Sequence, residues 1–151
     1  MKRKAIIVDI DGTLYNDTTV WSLPHIEDMT DKQWTDLEAR LQYGAPNLWC
    51  LEFIRCFSKQ GYDIVFLTGR SERLRYGTAQ WLANIVPLYC EYELLMRPDK
   101  DTRPDWVIKR EIYVQRILPK YDILFALDDR TSIINMWRAI GLTALQVGEN
   151  V

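Results

Sequence analysis

The chain has 151 residues, with 19 Lys and Arg against 21 Asp and Glu, and 48% of it is hydrophobic. That is enough apolar chain for one domain with a core, which excludes a disordered segment. A net charge of −2 creates no overall field for nucleic acid, and no apolar run reaches the length of a membrane span. The basic start Met1-Lys2-Arg3-Lys4 leads into a short apolar run and then into acids, unlike a secretory leader, so a cytoplasmic protein is expected. Cys50, Cys56 and Cys90 lack CxxC spacing and read as reduced thiols, not as a disulfide frame or a zinc site.

Strands are expected near 4–9, 62–67, 92–96, 123–127 and 143–147, and helices near 31–42, 47–60, 71–84, 104–118 and 131–140. Their alternation implies a three-layer α/β fold around a parallel sheet. The first strand, Ala5 to Val8, runs into Asp9-Ile10-Asp11-Gly12-Thr13. Residues i and i+2 of a strand point to one side, so Asp9 and Asp11 face one space at the sheet edge where ligands bind. Two close carboxylates repel, and a hard cation such as Mg²⁺ relieves the repulsion. An ordinary acidic turn would use the same residues.

The segment 15–46 is long for a connection and holds one expected helix, with Thr30 and Gln33 as a capping box and Trp34, Leu37 and Leu41 on its apolar side. The second strand ends in Thr68-Gly69-Arg70. The Thr68 hydroxyl, the Gly69 N–H and a bidentate Arg70 suit phosphate oxygens. A helix start capped by Ser71 explains the same residues equally well. Pro104 suits the first turn of the next helix, on which Lys109 stands three and four residues before Ile112 and Tyr113, a spacing that allows it to face the apolar side. A solvated helical lysine is the commoner outcome, and only its place between the second and fourth motifs favours a role for it. The fourth strand ends in Asp128-Asp129-Arg130, where a second acidic strand end favours a metal site over capping near Thr131. Arg70, Arg73, Arg75, Arg97, Lys100 and Arg103 form either a track for a phosphodiester backbone or a set of solvated faces.

These four motifs, DxDGT, Thr-Gly-Arg, Lys and Asp-Asp, resemble those of the haloacid dehalogenase (HAD) phosphatases in kind and order. Residues 101–112 and 127–147 further resemble the 3′-phosphatase domain of bacteriophage polynucleotide kinase–phosphatase. The likeness implies a Rossmann-like HAD fold over the whole chain, 1–151, with 15–46 as a small cap that leaves the site open to a bulky substrate end. It implies Asp9 as nucleophile and Asp11 as general acid and base. Mg²⁺ would be held by Asp9, the Ile10 carbonyl and Asp128, with Asp11 and Asp129 beside it. Thr68, the Gly69 N–H and Lys109 would offset phosphoryl charge, and Arg70 and Arg130 would contact substrate. Thr68 stands where the phage relatives often carry Ser. The arginine such enzymes carry after the first motif has no counterpart among 15–21, where Asp17, Thr18 and Thr19 stand.

The implied activity is removal of a 3′-phosphate, or a 2′,3′-cyclic phosphate, from a polynucleotide end, in host cytoplasm if the chain is phage-encoded. A 5′(3′)-deoxynucleotidase, or another small-nucleotide phosphatase, is the first alternative. A silent binding partner of a separate kinase or ligase is the second. DNA and RNA, and polymer and mononucleotide, stay open. Other chemistries lack their motifs: there is no GxxxxGK[ST] loop, no Cys followed six positions later by Arg, no GxSxG elbow beside the single histidine His25, and no GxGxxG.

Overall fold

The computed structural model describes residues 1–16 and 28–148. Five strands, β1 (Arg3–Val8), β2 (Asp63–Ser71), β3 (Tyr92–Arg97), β4 (Tyr121–Asp128) and β5 (Ala144–Gln146), form one parallel sheet in the order β3-β2-β1-β4-β5. Among the described residues the α-helices are α1 (Asp31–Leu41), α2 (Leu48–Lys59), α3 (Arg75–Ile85), α4 (Asp105–Ile112) and α5 (Thr131–Ala139).

The layers follow from strand periodicity. Side chains alternate across a strand, so a strand buried on both faces is apolar throughout. Ile6 and Val8 of β1 join Ile64 and Phe66 of β2 in a core with α1, α2 and α3, which supply Leu41, Ile54 and Trp81. Ala5 and Ile7 join Val65 and Leu67 on the opposite face, under Ile133 and Trp137 of α5 and Tyr113 beyond α4. The two tryptophans, Trp81 and Trp137, are almost completely buried. Removing either ring would cost about 3–5 kcal/mol.

The capping box is present: Thr30 Oγ1 accepts from the Gln33 N–H and Gln33 Oε1 from the Thr30 N–H. Trp34, Leu37 and Leu41 of α1 are buried in the first core. Arg73 lies over the Trp34 ring at 4.4 Å, and Glu38 accepts from the Gly77 N–H of α3. Residues 17–27 of this insert, among them Asp17, Thr18, Thr19 and His25, lie outside the described residues.

Several boundaries and one cap differ from expectation. The register between β2 and β3 shifts after Thr68, and Ser71 pairs with Arg97, so β2 runs on to Ser71. A 3₁₀ turn, Glu72–Leu74, capped by the Ser71 hydroxyl, then precedes α3. Pro104 stands at the N-cap rather than inside α4, and a π turn, Tyr113–Ile117, replaces the last turn of the expected 104–118 helix. Thr131 is the first residue of α5 and not its cap: Arg130 holds the N-cap position without a side-chain cap bond, and its N–H donates to Asp128 Oδ1.

Candidate active site

Strands β2, β1 and β4 are neighbours, so their C-terminal ends bring Thr68, Asp9 and Asp128 to one edge. The chain leaves β1 for β2 on one side and returns through β4 on the other, which makes this edge a topological switch point. The ladder continues past β1, where the Asp9 N–H donates to the Leu127 carbonyl at 3.1 Å, placing Asp9 beside Asp128.

Lys109 closes this corner from α4. Its Nζ donates to Asp9 Oδ1 at 2.9 Å and to Asp128 Oδ2 at 2.6 Å, with all three side chains buried. The Thr13 hydroxyl donates to Asp9 Oδ2 at 3.2 Å. Burial lifts Asp9 to about 7 and Asp128 to about 6, against the pull of Lys109. Burial also pulls the Lys109 ammonium down, but Asp128 and Asp9 outweigh it and hold the group above its ordinary value.

Oxygens of Asp9, Asp128 and Asp129 lie within 4.8 Å of one another. Three buried carboxylates and one ammonium leave two negative charges when all are ionised. That donor set suits a hard divalent cation. Asp9, Asp128 and Asp129 are therefore the residues that would hold one.

Two expected ligands are engaged with other partners. The Ile10 carbonyl already accepts two backbone N–H groups, from Thr13 at 3.1 Å and Tyr15 at 2.8 Å, because the chain folds back there into a tight turn. Gly12 allows that turn with φ at +79°. Asp11 is likewise outside the cation cluster: its Oδ2 accepts from Arg70 Nε at 2.9 Å and its Oδ1 from Arg70 Nη2 at 2.6 Å.

Arg70 is correspondingly not the open phosphate clamp expected of it. The side chain has no exposed surface, donates from Nη1 to Thr78 Oγ1 at 3.1 Å, and stacks over the Tyr15 ring at 4.8 Å. Thr68 is buried and accepts the Arg70 N–H at 3.1 Å, which leaves its own O–H as a donor. The Gly69 carbonyl accepts from Arg97 Nε at 3.0 Å, and a Cβ at Gly69 would stand 2.8 Å from Asp105 Oδ1.

Asp105 was not among the candidates from sequence. It pairs with both Arg97 and Arg130, tying β3, the start of α4 and the loop after β4 together at the rim. Thr13, Tyr15 and Thr78 were also missed as partners; only Thr13, inside the first motif, carried a signal. Arg130 remains more than half exposed beside its pair with Asp105.

The proposed basic track breaks up into internal pairs. Arg73 meets Asp31, Arg75 meets Glu72, Arg97 meets Asp105, and Arg103 meets Asp101 and Glu111. With Arg70 buried against Asp11, solvated or internally neutralised cations are the better account of these residues.

A doubly wound parallel sheet whose first strand ends in two carboxylates, beside a buried Lys held between Asp9 and Asp128, defines a phosphatase fold of the HAD superfamily. The class C acid phosphatase of Bacillus anthracis, solved with tungstate bound, shares that fold at a TM-score of 0.63 and 18% identity, over 88% of this chain and 54% of that one. More narrowly, residues 3–150 match the model of the polynucleotide kinase PNKP phosphatase domain, and the chain belongs to that family.

A protein of Autographa californica nuclear polyhedrosis virus, described as a bifunctional polynucleotide kinase/RNA ligase, is 26% identical over 136 residues, 89% of this chain and 18% of its own length. Two structures of the Pnkp1/Rnl/Hen1 complex, the second described as an RNA repair complex, superpose with a TM-score of 0.76. They are 30% and 29% identical over 99% of this chain, which spans 47% and 43% of theirs. The chain thus covers less than half the length of these relatives. Among the described residues, no helix is long and apolar enough to cross a membrane.

Proposed function

We propose that this domain removes a terminal 3′-phosphate, or opens and removes a 2′,3′-cyclic phosphate, at a polynucleotide end. The observation that carries the reading is the family match across residues 3–150, which joins the phosphatase site to relatives described as acting on polynucleotides.

Asp9 supplies the attacking oxygen. Its carboxylate attacks phosphorus, the bond from phosphorus to the sugar oxygen breaks, and an aspartyl-phosphate forms. Lys109 and Thr13 fix the Asp9 carboxylate in its corner, so the attacking atom is oriented before substrate arrives. Asp11 donates a proton to the leaving sugar oxygen, a contribution of roughly a hundredfold or more. It then takes a proton from the water that hydrolyses the aspartyl-phosphate. Arg70 holds both Asp11 oxygens, at 2.9 and 2.6 Å, so this pair has to open for Asp11 to reach the leaving oxygen.

Lys109, the Thr68 hydroxyl and the Gly69 N–H offset charge on the transferring group. Mg²⁺ between Asp9, Asp128 and Asp129 would screen the carboxylate from the anionic phosphate and stabilise the charge that develops. A separately encoded or covalently attached kinase or ligase as partner is part of the same proposal, drawn from the relatives' descriptions.

The test is phosphate release, with Mg²⁺, from a 3′-phosphorylated oligonucleotide beside the matching 3′- and 5′-mononucleotides, with Asp9→Asn as control. Preference for the oligonucleotide is expected. Preference for mononucleotides would replace the reading with that of a nucleotidase, and no turnover of any ester would leave a binding module.

A further inference from the structure

A cavity of about 310 Å³ opens between α4 and α5, on the same side of the sheet as Lys109. Its walls include Trp106, Arg110, Ser132, Asn135, Met136 and Ala139. Both helices start at the catalytic edge, since α5 begins three residues beyond Asp128 and α4 carries Lys109 to Asp9. The upper end of the cavity therefore lies at the rim of the active site. Trp106 stands one turn of α4 before Lys109, about 4.5 Å along the helix axis. Ser132 stands two residues after Arg130.

The Asp105–Arg130 ion pair bridges the two helix starts at the head of this groove. Its arginine keeps an exposed face, 57% of the side chain. Arg130 itself lies just ahead of the lining residues, with its N–H donating to Asp128 Oδ1 at 3.0 Å, so it stands between the start of α5 and the carboxylate corner.

The lining has the chemistry of a base site. Trp106 is 41% exposed, a large ring left uncovered next to catalytic machinery. Exposed aromatic faces stack nucleobases. The side chains of Arg110, Ser132 and Asn135 are exposed and make no hydrogen bond or ion pair with another described residue, so their donors and acceptors are free to meet a ligand in the groove. Asn135 offers both a donor and an acceptor to a base edge. Its volume is at the lower end of small-ligand sites, the size of one nucleoside and too small for a folded partner.

We propose that the α4–α5 groove seats the nucleobase of the nucleotide that carries the reacting phosphate, stacked on Trp106 and edge-bonded by Asn135, with Arg130 facing the backbone between base and Asp9. This rests on the polynucleotide reading above. It locates substrate recognition here, and not in the basic residues that the sequence made conspicuous.

The experiment compares kcat/KM for a 3′-phosphorylated oligonucleotide with that for a small aryl phosphate, in the wild type, Trp106→Ala, Trp106→Phe and Asn135→Ala. Stacking predicts that Trp106→Ala lowers the oligonucleotide-to-aryl ratio about tenfold, through KM, and that Trp106→Phe restores most of it. Asn135→Ala is expected to lower the ratio differently for purine and pyrimidine ends. An unchanged ratio in folded Trp106→Ala overturns the groove while the phosphatase reading stands. Should Trp106→Ala not fold, an unchanged ratio in both Trp106→Phe and Asn135→Ala overturns it as well. Wild-type protein that hydrolyses the aryl ester but not the oligonucleotide overturns both.

Discussion

Arg70 and Asp11, 59 residues apart in the chain, form a bidentate pair with no solvent contact at the arginine, at 2.6 and 2.9 Å. Asp9, two residues before Asp11, is held instead by Lys109. Two carboxylates on one strand end thus have separate cationic partners from separate elements, β2 and α4. Different environments are what allow like groups to take different chemical roles.

The pair carries a stability cost when broken. Arg70→Ala leaves Asp11 buried without its counter-charge, and a loss of about 3–5 kcal/mol is expected. Urea unfolding followed by circular dichroism measures it. Arg70→Lys restores charge but not the two-pronged geometry and is expected to fall between. A loss below 1 kcal/mol would mean the pair is not formed in solution.

Lys109→Ala removes the ammonium between Asp9 and Asp128. On the proposed mechanism turnover is expected to fall about a hundredfold or more, because the group that orients Asp9 and would offset phosphoryl charge is lost. Single-turnover phosphate release separates this from a change in substrate binding. A KM effect with intact kcat would assign Lys109 to ground-state binding alone.

Cation binding is expected to stabilise the fold through Asp9, Asp128 and Asp129. At a hundred times Kd the gain is about 2.7 kcal/mol, seen as a rise in Tm when Mg²⁺ is added to metal-stripped protein. Asp128→Asn should abolish most of that rise without any assay of activity. An equal rise in the variant would place the cation elsewhere.

Asp101 supplies a pH test outside the site. The hydrogen bond from Arg103 holds its carboxyl down, to about 2. A depressed carboxyl contributes stability above its ordinary value, and that contribution is lost as pH falls through about 2. Arg103→Ala should return Asp101 toward the ordinary carboxylate range, read directly from side-chain carboxyl chemical shifts during an acid titration.

Much of the architecture was legible in local patterns. Apolar runs ending in Asp9, Thr68 and Asp128 announced buried strands with polar ends, and alternation with helical segments announced a parallel sheet. These readings succeed because strand burial and helix amphipathicity are written in residue spacing. Spacing alone left Lys109 open between a buried and a solvated position, and only its place between the second and fourth motifs favoured the buried one, which is where it stands.

The partners could not be read that way. Arg70 sits in a motif that suits phosphate, yet strand pairing sets β2 beside β1 and brings its guanidinium to Asp11. The Ile10 carbonyl is consumed by a turn that needs the position of Tyr15, and Asp105 acquires its role only where β3, α4 and the loop after β4 converge. Residue types and periodicity are local properties, sufficient to name the carboxylates and the sheet. Which cation neutralises which acid depends on register, on side-chain reach and on the exclusion of water, and those arise when segments a hundred residues apart, such as Asp9 and Lys109, pack together.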